Sequence, residues 1–148
     1  MTSKAESIAQ AVVAALTSPA MTSVPAARIY RDLQGALAAG DLPAIVVELG
    51  DEIAPDPGGT LIGRKMRRVE LRLQTVAAAS LGSSPYASAD PAVVEAHNRI
   101  AADPTLGGLA FGYDEGDTQR QREDAEKNIG SVTKAYVFQF HTTEASIE

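Results

Sequence analysis

The chain lacks cysteine and tryptophan, and aromatic residues make up only 5% of its 148 positions. The absence of cysteine excludes disulfides, a thiol nucleophile and cysteine-ligated metal. Aromatic rings are too few to form a stacking platform for single-stranded nucleic acid. The net charge of -6 also gives little support to nucleic-acid binding by counterion release, which depends on positive charge. We therefore expect no sequence recognition of nucleic acid and no thiol chemistry.

Long apolar runs are absent too. No run approaches the ~20 residues that a bilayer span requires, so we expect no membrane partner. The segment "SIAQAVVAAL" loosely resembles the apolar part of a secretory signal, but Glu6 and Gln10 interrupt that pattern. Ser3 and Glu6 have the spacing of a capping box, which favours an amphipathic helix instead. With 45% hydrophobic and 22% charged residues, the sequence predicts one globular domain over 1–148.

Motifs for catalysis or cofactor binding are also missing. "GGTLIGRK" has the glycine spacing of a phosphate-binding loop, but Arg64 and Lys65 replace its lysine and hydroxyl residues, and a strand is predicted where a helix should follow. His97 and His141 are far apart and have no HExxH-type spacing. We expect His97 to pack against the core and His141 to be solvated. The sequence therefore predicts a protein that is not an enzyme and has no cofactor, metal or catalytic residue.

Two segments alternate between apolar and polar residues, as half-buried strands do. They are "LPAIVVELG" and "RKMRRVELRLQTVAA", and in the second Val69, Leu71 and Leu73 share one face. "DEIAPDPGGTLIG" between them is predicted to be a loop. The closing "TKAYVFQFHT" also alternates, through Tyr136, Phe138 and Phe140.

A second helix is predicted to begin with Asp90 as its cap and Pro91 in its first turn, and to end before Pro104. A strand from Leu109 to about Tyr113 should follow. Together with "AARIY" as a short strand, the element order predicts an α+β domain. Its sheet is mostly antiparallel with four or five strands, and two main helices pack on one face.

The segment "DPTLGGLAFGY" joins the second helix to the next strand. Because a helix precedes the two glycines and a strand follows them, we interpret Gly107 and Gly108 as a structural turn and not as a phosphate site. The polar residues around 114–130 are then expected to form a solvated hairpin extension, with a long loop at its tip.

Charge is distributed unevenly along the chain. Residues 33–63 include acidic residues but no lysine or arginine. Five basic residues follow within the next nine positions. One interpretation is a head-to-tail contact in which the basic surface of one subunit meets the acidic surface of its neighbour and closes a ring. The other is an ordinary cross-strand mixture of charge inside one subunit. The candidate interface residues are Glu48, Asp51, Glu52, Arg64, Lys65, Arg67, Arg68 and Arg72.

The chain resembles the tail terminator proteins of long-tailed phages, the minor tail protein U-like family. The resemblance is carried by "LPAIVVELGDE", "RRVELRLQTVA", "ADPAVVEAHNRIAADPTLGGLAFGY" and the closing "AYVFQFHT". These segments are similar to that family's early strand, its helix ending in two glycines, and its final aromatic strand. The similarity runs from about residue 5 to residue 143 and leaves 114–130 without a clear counterpart.

The resemblance implies a structural role in virion assembly. Family members form a ring, commonly of six subunits, which caps the completed tail tube, stops its growth and presents a surface for joining to the head. The implied partners are further copies of the chain, the tail tube protein and a head-completion or neck protein. The implied location is the tail of a virion assembled in the bacterial host cytoplasm, whether from an active phage, a prophage or a tail-like particle.

The resemblance also suggests how the surfaces are used. Subunits would meet through the acidic loop 48–56 and the basic strand 64–72, and the hairpin 114–130 would project toward a tube or neck partner and become ordered on binding. Two alternatives remain open: a tail tube or neck-completion protein, and a small α+β ligand-binding module or enzyme without a recognisable motif.

Overall fold

The computed structural model describes residues 2–33, 35–53, 60–61 and 63–143. In this part of the chain, two helices and six strands follow one another in the order α1 (Lys4–Thr17), β1 (Ile29–Arg31), β2 (Ala44–Ile53), β3 (Thr60–Leu61), β4 (Arg64–Ala78), α2 (Pro85–Ala102), β5 (Gly112–Asp124) and β6 (Ile129–Thr143). Two single 3-10 turns, Ala26–Arg28 and Ala39–Asp41, lie before and after β1. The predicted α+β fold is confirmed.

The main sheet has the strand order β1-β2-β4-β6-β5, and β3 pairs with β4 beside this path. Only β1 and β2 run parallel, and the other pairs are antiparallel. The pairing of β4 with β6 is unbroken from Arg64 opposite Thr143 to Ala78 opposite Ile129. These two long strands lie in the middle of the sheet, with β1 and β2 on one side and β5 on the other.

Both helices pack on one face of the sheet, as predicted. The alternating residues of β4 and β6 supply the sheet side of the core, in which Leu71, Tyr136 and Phe138 are fully buried. Helix α1 begins where the Ser3 side chain accepts a hydrogen bond from the backbone N–H of Glu6, and it contributes Ile8 to the same cluster. In the described part of the chain, no α-helix packs on the opposite face of the sheet.

Helix α2 begins six residues before the predicted start. Ser84 is its N-cap and accepts a hydrogen bond from the N–H of Ala87, while Pro85 occupies the first helical position. Pro91 lies inside the helix, so the prediction that Asp90 caps it was wrong. Proline has no N–H, which removes one hydrogen bond of the helix without ending it.

The polar stretch after α2 also differs from its prediction. The strand begins at Gly112, not at Leu109, and continues through Asp124, paired with β6 along most of its length. The hairpin tip is therefore only residues 125–128. Residues 114–123 are exposed because β5 is the edge strand and α2 does not cover it. The predicted antiparallel hairpin is therefore present, but its tip is shorter than expected because residues 114–124 already belong to β5.

The predicted loop 51–63 is partly strand. β2 extends to Ile53, so Asp51 and Glu52 belong to a strand and not to a loop, and Thr60–Leu61 form β3. The remaining loop residues, 54–59 and 62, lie outside the described residues, and they include the end of the predicted acidic loop 48–56 and the first glycines of "GGTLIGRK".

Candidate subunit interface

The acidic and basic residues predicted to meet across subunits lie on neighbouring strands of one sheet. Glu48 on β2 lies directly opposite Arg72 on β4. Near the other end of β2, Glu52 Oε1 lies 3.6 Å from Arg67 Nη1. Arg67 also donates a hydrogen bond of 2.8 Å to Thr142 on β6. For these residues the charge mixture forms inside one subunit, which was the second of the two interpretations.

Arg72 is held by carboxylates of its own chain. Its Nε donates a hydrogen bond to Glu70 on the same strand, and this contact is the largest cause that raises the pKa of Arg72. Asp51 and Glu48 raise that pKa further through their negative charge. Arg72 therefore stays protonated and neutralises part of the acidic charge around it.

The first residues of β4 differ from Arg67 and Arg72. Arg64 is exposed and Lys65 is half-buried, and neither makes an ion pair with any residue that the structure describes. Arg68 lies opposite Ile53 and Gln139 in the sheet. The basic charge of this strand thus divides into two parts: the middle of the strand is paired, and at its beginning Arg64 and Lys65 have no acidic partner among the described residues.

The helix-free face of the sheet is concave. Two adjoining cavities of about 280 Å³ and about 670 Å³ share Glu48 and Gln74 in their walls. We call the pair the open-face groove. Its smaller half lies between the 33–39 segment and the β5–β6 hairpin, over Val46 and other apolar side chains. Its larger half crosses β4, β6 and β5 over small residues such as Ala135.

The open-face groove is acidic. The acidic residues in its walls are Glu48, Glu70, Asp117, Glu123 and Asp124, and the basic ones are Arg72 and Lys127. Both cations already face acids of the groove: Arg72 binds Glu70, and Lys127 Nζ lies 4.0 Å from Asp124. Glu48 lies opposite Arg72 as well, but five carboxylates share these two cations, which leaves the groove negatively charged.

The two glycines after α2 lie in a turn. Gly107 and Gly108 have φ angles of +70° and +90°, a region that side chains disfavour. The Asp103 carboxylate accepts a hydrogen bond of 2.8 Å from the N–H of Gly107. Three residues further on, the N–H of Phe111 binds the carbonyl of Gln139 on β6. The turn thus brings the chain from the end of α2 onto the sheet edge.

The histidines have structural surroundings. His97 Nδ1 lies 3.0 Å from the Tyr136 hydroxyl, and its Nε2 lies 3.2 Å from Glu115 on β5. The His97 ring also stacks on the Tyr136 ring. His141 is half-buried, and its ring packs edge-on against Phe111 at a centroid distance of 4.3 Å. His97 therefore links α2 to the edge of the sheet.

Among the described residues, no group of three or more His, Cys, Asp or Glu side chains is placed to hold a metal ion. None of the helices in this part of the chain combines the length and apolar composition of a membrane span.

Comparison with known proteins gives a structural likeness but no sequence match. No family model matches the chain, and no curated protein sequence matches it. Among solved structures, the fold is similar to that of a chain from the virion of a native gene transfer agent (GTA) particle. The TM-score is 0.52 and the sequence identity is 13%, and the alignment covers 90% of this chain and 94% of the other. At this identity the likeness shows a shared fold over nearly the whole length.

Sequence reasoning missed the β5 side of the groove. Gly116, Asp117 and Gln119 line it, but they belong to the stretch that was predicted to be a loop. An exposed edge strand has no buried face, so its residues show no apolar alternation that would identify it. Two irregularities in its pairing with β6, at 115–118 and 122–124, weaken the pattern further.

Proposed function

We propose that this chain is a structural protein of a phage or phage-like virion, and that it caps the tail tube as a ring of identical subunits. The observation that carries the proposal is the fold shared over nearly its whole length with a chain of a gene transfer agent virion. The sequence resemblance to tail terminator proteins supports the finer assignment. In this proposal the ring ends polymerisation of the tube and presents a surface to a head-completion or neck protein.

The surface of the chain suits an assembly role. The helix-free face of the sheet exposes backbone-paired strands with polar and acidic side chains, and β5 is an edge strand of thirteen residues. A charged surface of this kind can bind another protein whose charges are complementary to it. We therefore assign the chain a non-enzymatic function in which its partners are copies of itself, the tail tube protein and a neck protein.

The proposal is tested by deleting the gene from a producing strain and imaging the particles by electron microscopy. A terminator is required to stop tube growth, so we expect tubes of uncontrolled length and heads without tails, and normal particles when the gene is restored. Loss of all tubes would instead support the alternative of a tail tube protein. Tubes of normal length without attached heads would support a neck-completion protein. Normal joined particles would contradict a role in virion assembly.

A further inference from the structure

The open-face groove and the start of β4 carry net charges of opposite sign that the described residues do not neutralise. Among the described residues, Asp117 makes no hydrogen bond or ion pair, and Glu123 accepts hydrogen bonds from the neutral donors of Gln74 and Ser131. Glu48 has to share the charge of Arg72 with Glu70. Arg64 and Lys65 likewise have no carboxylate partner in the described part of the chain. Each surface therefore lacks what the other supplies.

These two surfaces cannot neutralise each other inside one subunit. Arg64 and Arg72 lie on the same strand, eight residues apart, and Arg72 marks the middle of the groove. At about 3.3 Å per residue, the separation is about 26 Å, which exceeds the reach of a side chain. It also exceeds the screening length of about 8 Å at physiological salt. The basic end of β4 can satisfy an acidic groove only on another molecule.

We propose that, in the ring, Arg64 and Lys65 of each subunit dock into the open-face groove of the next, beside Glu48 and Asp117. The inference rests on the proposed ring and identifies its contact. The two surfaces differ, so the contact is head-to-tail, and repeating it around a closed rotation generates a ring. It replaces the predicted contact through the acidic loop 48–56 and the whole strand 64–72, because Glu52, Arg67 and Arg72 pair within their own subunit.

Charge-reversal variants test this contact. Variant A carries Glu48→Lys and Asp117→Lys, and variant B carries Arg64→Glu and Lys65→Glu. Each variant places like charges in its own contact, so we expect at least about a tenfold rise in the concentration needed for half assembly. The measurement is native mass spectrometry of full-length protein at matched ionic strength, with circular dichroism to verify folding.

The decisive experiment mixes the two variants. The basic groove of A accepts the acidic strand end of B, and the acidic groove of B accepts the basic end of A, so an equimolar mixture should restore rings with alternating subunits. A chain that carries all four substitutions should also form rings. Control variants reverse equal charge elsewhere on the exposed surface and should assemble normally; they are Asp41→Lys with Asp90→Lys, and Arg120→Glu with Arg122→Glu.

The outcomes separate this inference from the ring itself. A wild-type chain that stays monomeric overturns the ring and the contact together. If the wild type forms rings, normal rings of A or B overturn the contact and leave the ring in place. Failure of folded A and B to assemble when mixed, or disassembly of the control variants, also overturns the contact, because the effect would then not depend on complementary charge.

Discussion

The carboxylate of Glu95 on α2 accepts a hydrogen bond of 2.8 Å from the backbone N–H of Thr22. The same carboxylate accepts hydrogen bonds from the backbone N–H and hydroxyl of Ser23. One turn further along α2, Arg99 donates to the carbonyl of Ala20. These contacts fasten the segment after α1 to α2. The hydrogen bonds from Thr22 and Ser23 lower the pKa of Glu95 to about 2, and the one from the Ser23 side chain contributes most.

Replacing this carboxylate should destabilise the fold. We expect Glu95→Gln to lower the free energy of unfolding by about 1–3 kcal/mol, because an amide presents a donor to groups that are themselves donors. The folded-state pKa is depressed, so the stabilisation is present above the unfolded pKa near 4.5 and is lost as pH falls toward 2. Urea unfolding at pH 7 and pH 3 measures both effects. Glu126→Gln, at an exposed position, is the control. An equal decrease in the free energy of unfolding in the two variants would contradict this account.

The Gly108 turn makes a second prediction. An alanine Cβ at Gly108 would meet no atom within 4 Å, so its cost arises only from the φ angle of +90°. We expect Gly108→Ala to lower the melting temperature, with a loss of about 1–2 kcal/mol. Gly40 is the matched control because a Cβ there also meets nothing and its φ is ordinary. Thermal unfolding measures the melting temperatures of Gly108→Ala and Gly40→Ala, and we expect the former to be lower. Indistinguishable melting temperatures would contradict the turn assignment.

Gly130 on β6 is constrained by contact and not by φ. A Cβ at this position would lie 2.9 Å from Pro85 Cγ and 3.0 Å from Tyr86 Cε1, at the start of α2. Overpacking of this kind should cost about 1–3 kcal/mol in Gly130→Ala. The cost should shrink in a Pro85→Ala background, which a double-mutant cycle of unfolding free energies measures. Additive losses would show that the proline is not the obstacle.

The Tyr136 hydroxyl supports His97 and is buried beneath α2. Removing it in Tyr136→Phe should cost about 1 kcal/mol, because His97 Nδ1 loses its partner. Burial, followed by the negative charge of nearby groups, raises the pKa of Tyr136. The unfolded chain therefore deprotonates first, and stability present below pH 10 should fall as pH rises above it. Tyr136→Phe also serves as the control, because its unfolding free energy should depend less on pH between 9 and 11 than that of the wild type. The same pH dependence in both proteins would contradict the prediction.

The sequence was sufficient to predict those parts of the fold that have a buried face. β4 was predicted with its observed bounds because Val69, Leu71 and Leu73 alternate with polar residues. The apolar alternation of β6 identified its second half in the same way. Helix α2 was predicted to exist but its start was not, because Pro85 and Pro91 both have the sequence signature of a first turn. Pro85 packs close to Gly130 on β6, and a local sequence pattern does not indicate such a long-range contact.

The candidate interface was predictable as an uneven distribution of charge, but its geometry was not. Which charges pair within the subunit depends on the register of β2 against β4, which places Glu48 opposite Arg72. That register includes a shift between Leu49 and Glu52, which no local pattern in the sequence indicates. The groove further depends on β5, whose polar sequence lacks the apolar period of a strand.

The most direct test of the proposed ring is the mass of the purified wild-type chain in solution, measured by native mass spectrometry and sedimentation velocity. The account predicts one discrete closed assembly of about six subunits, which dissociates as salt is raised because its contacts are charged. A monomer at every concentration and salt tested would contradict the account. Open-ended polymers of increasing length would also contradict it, because a ring that caps a tube has to close.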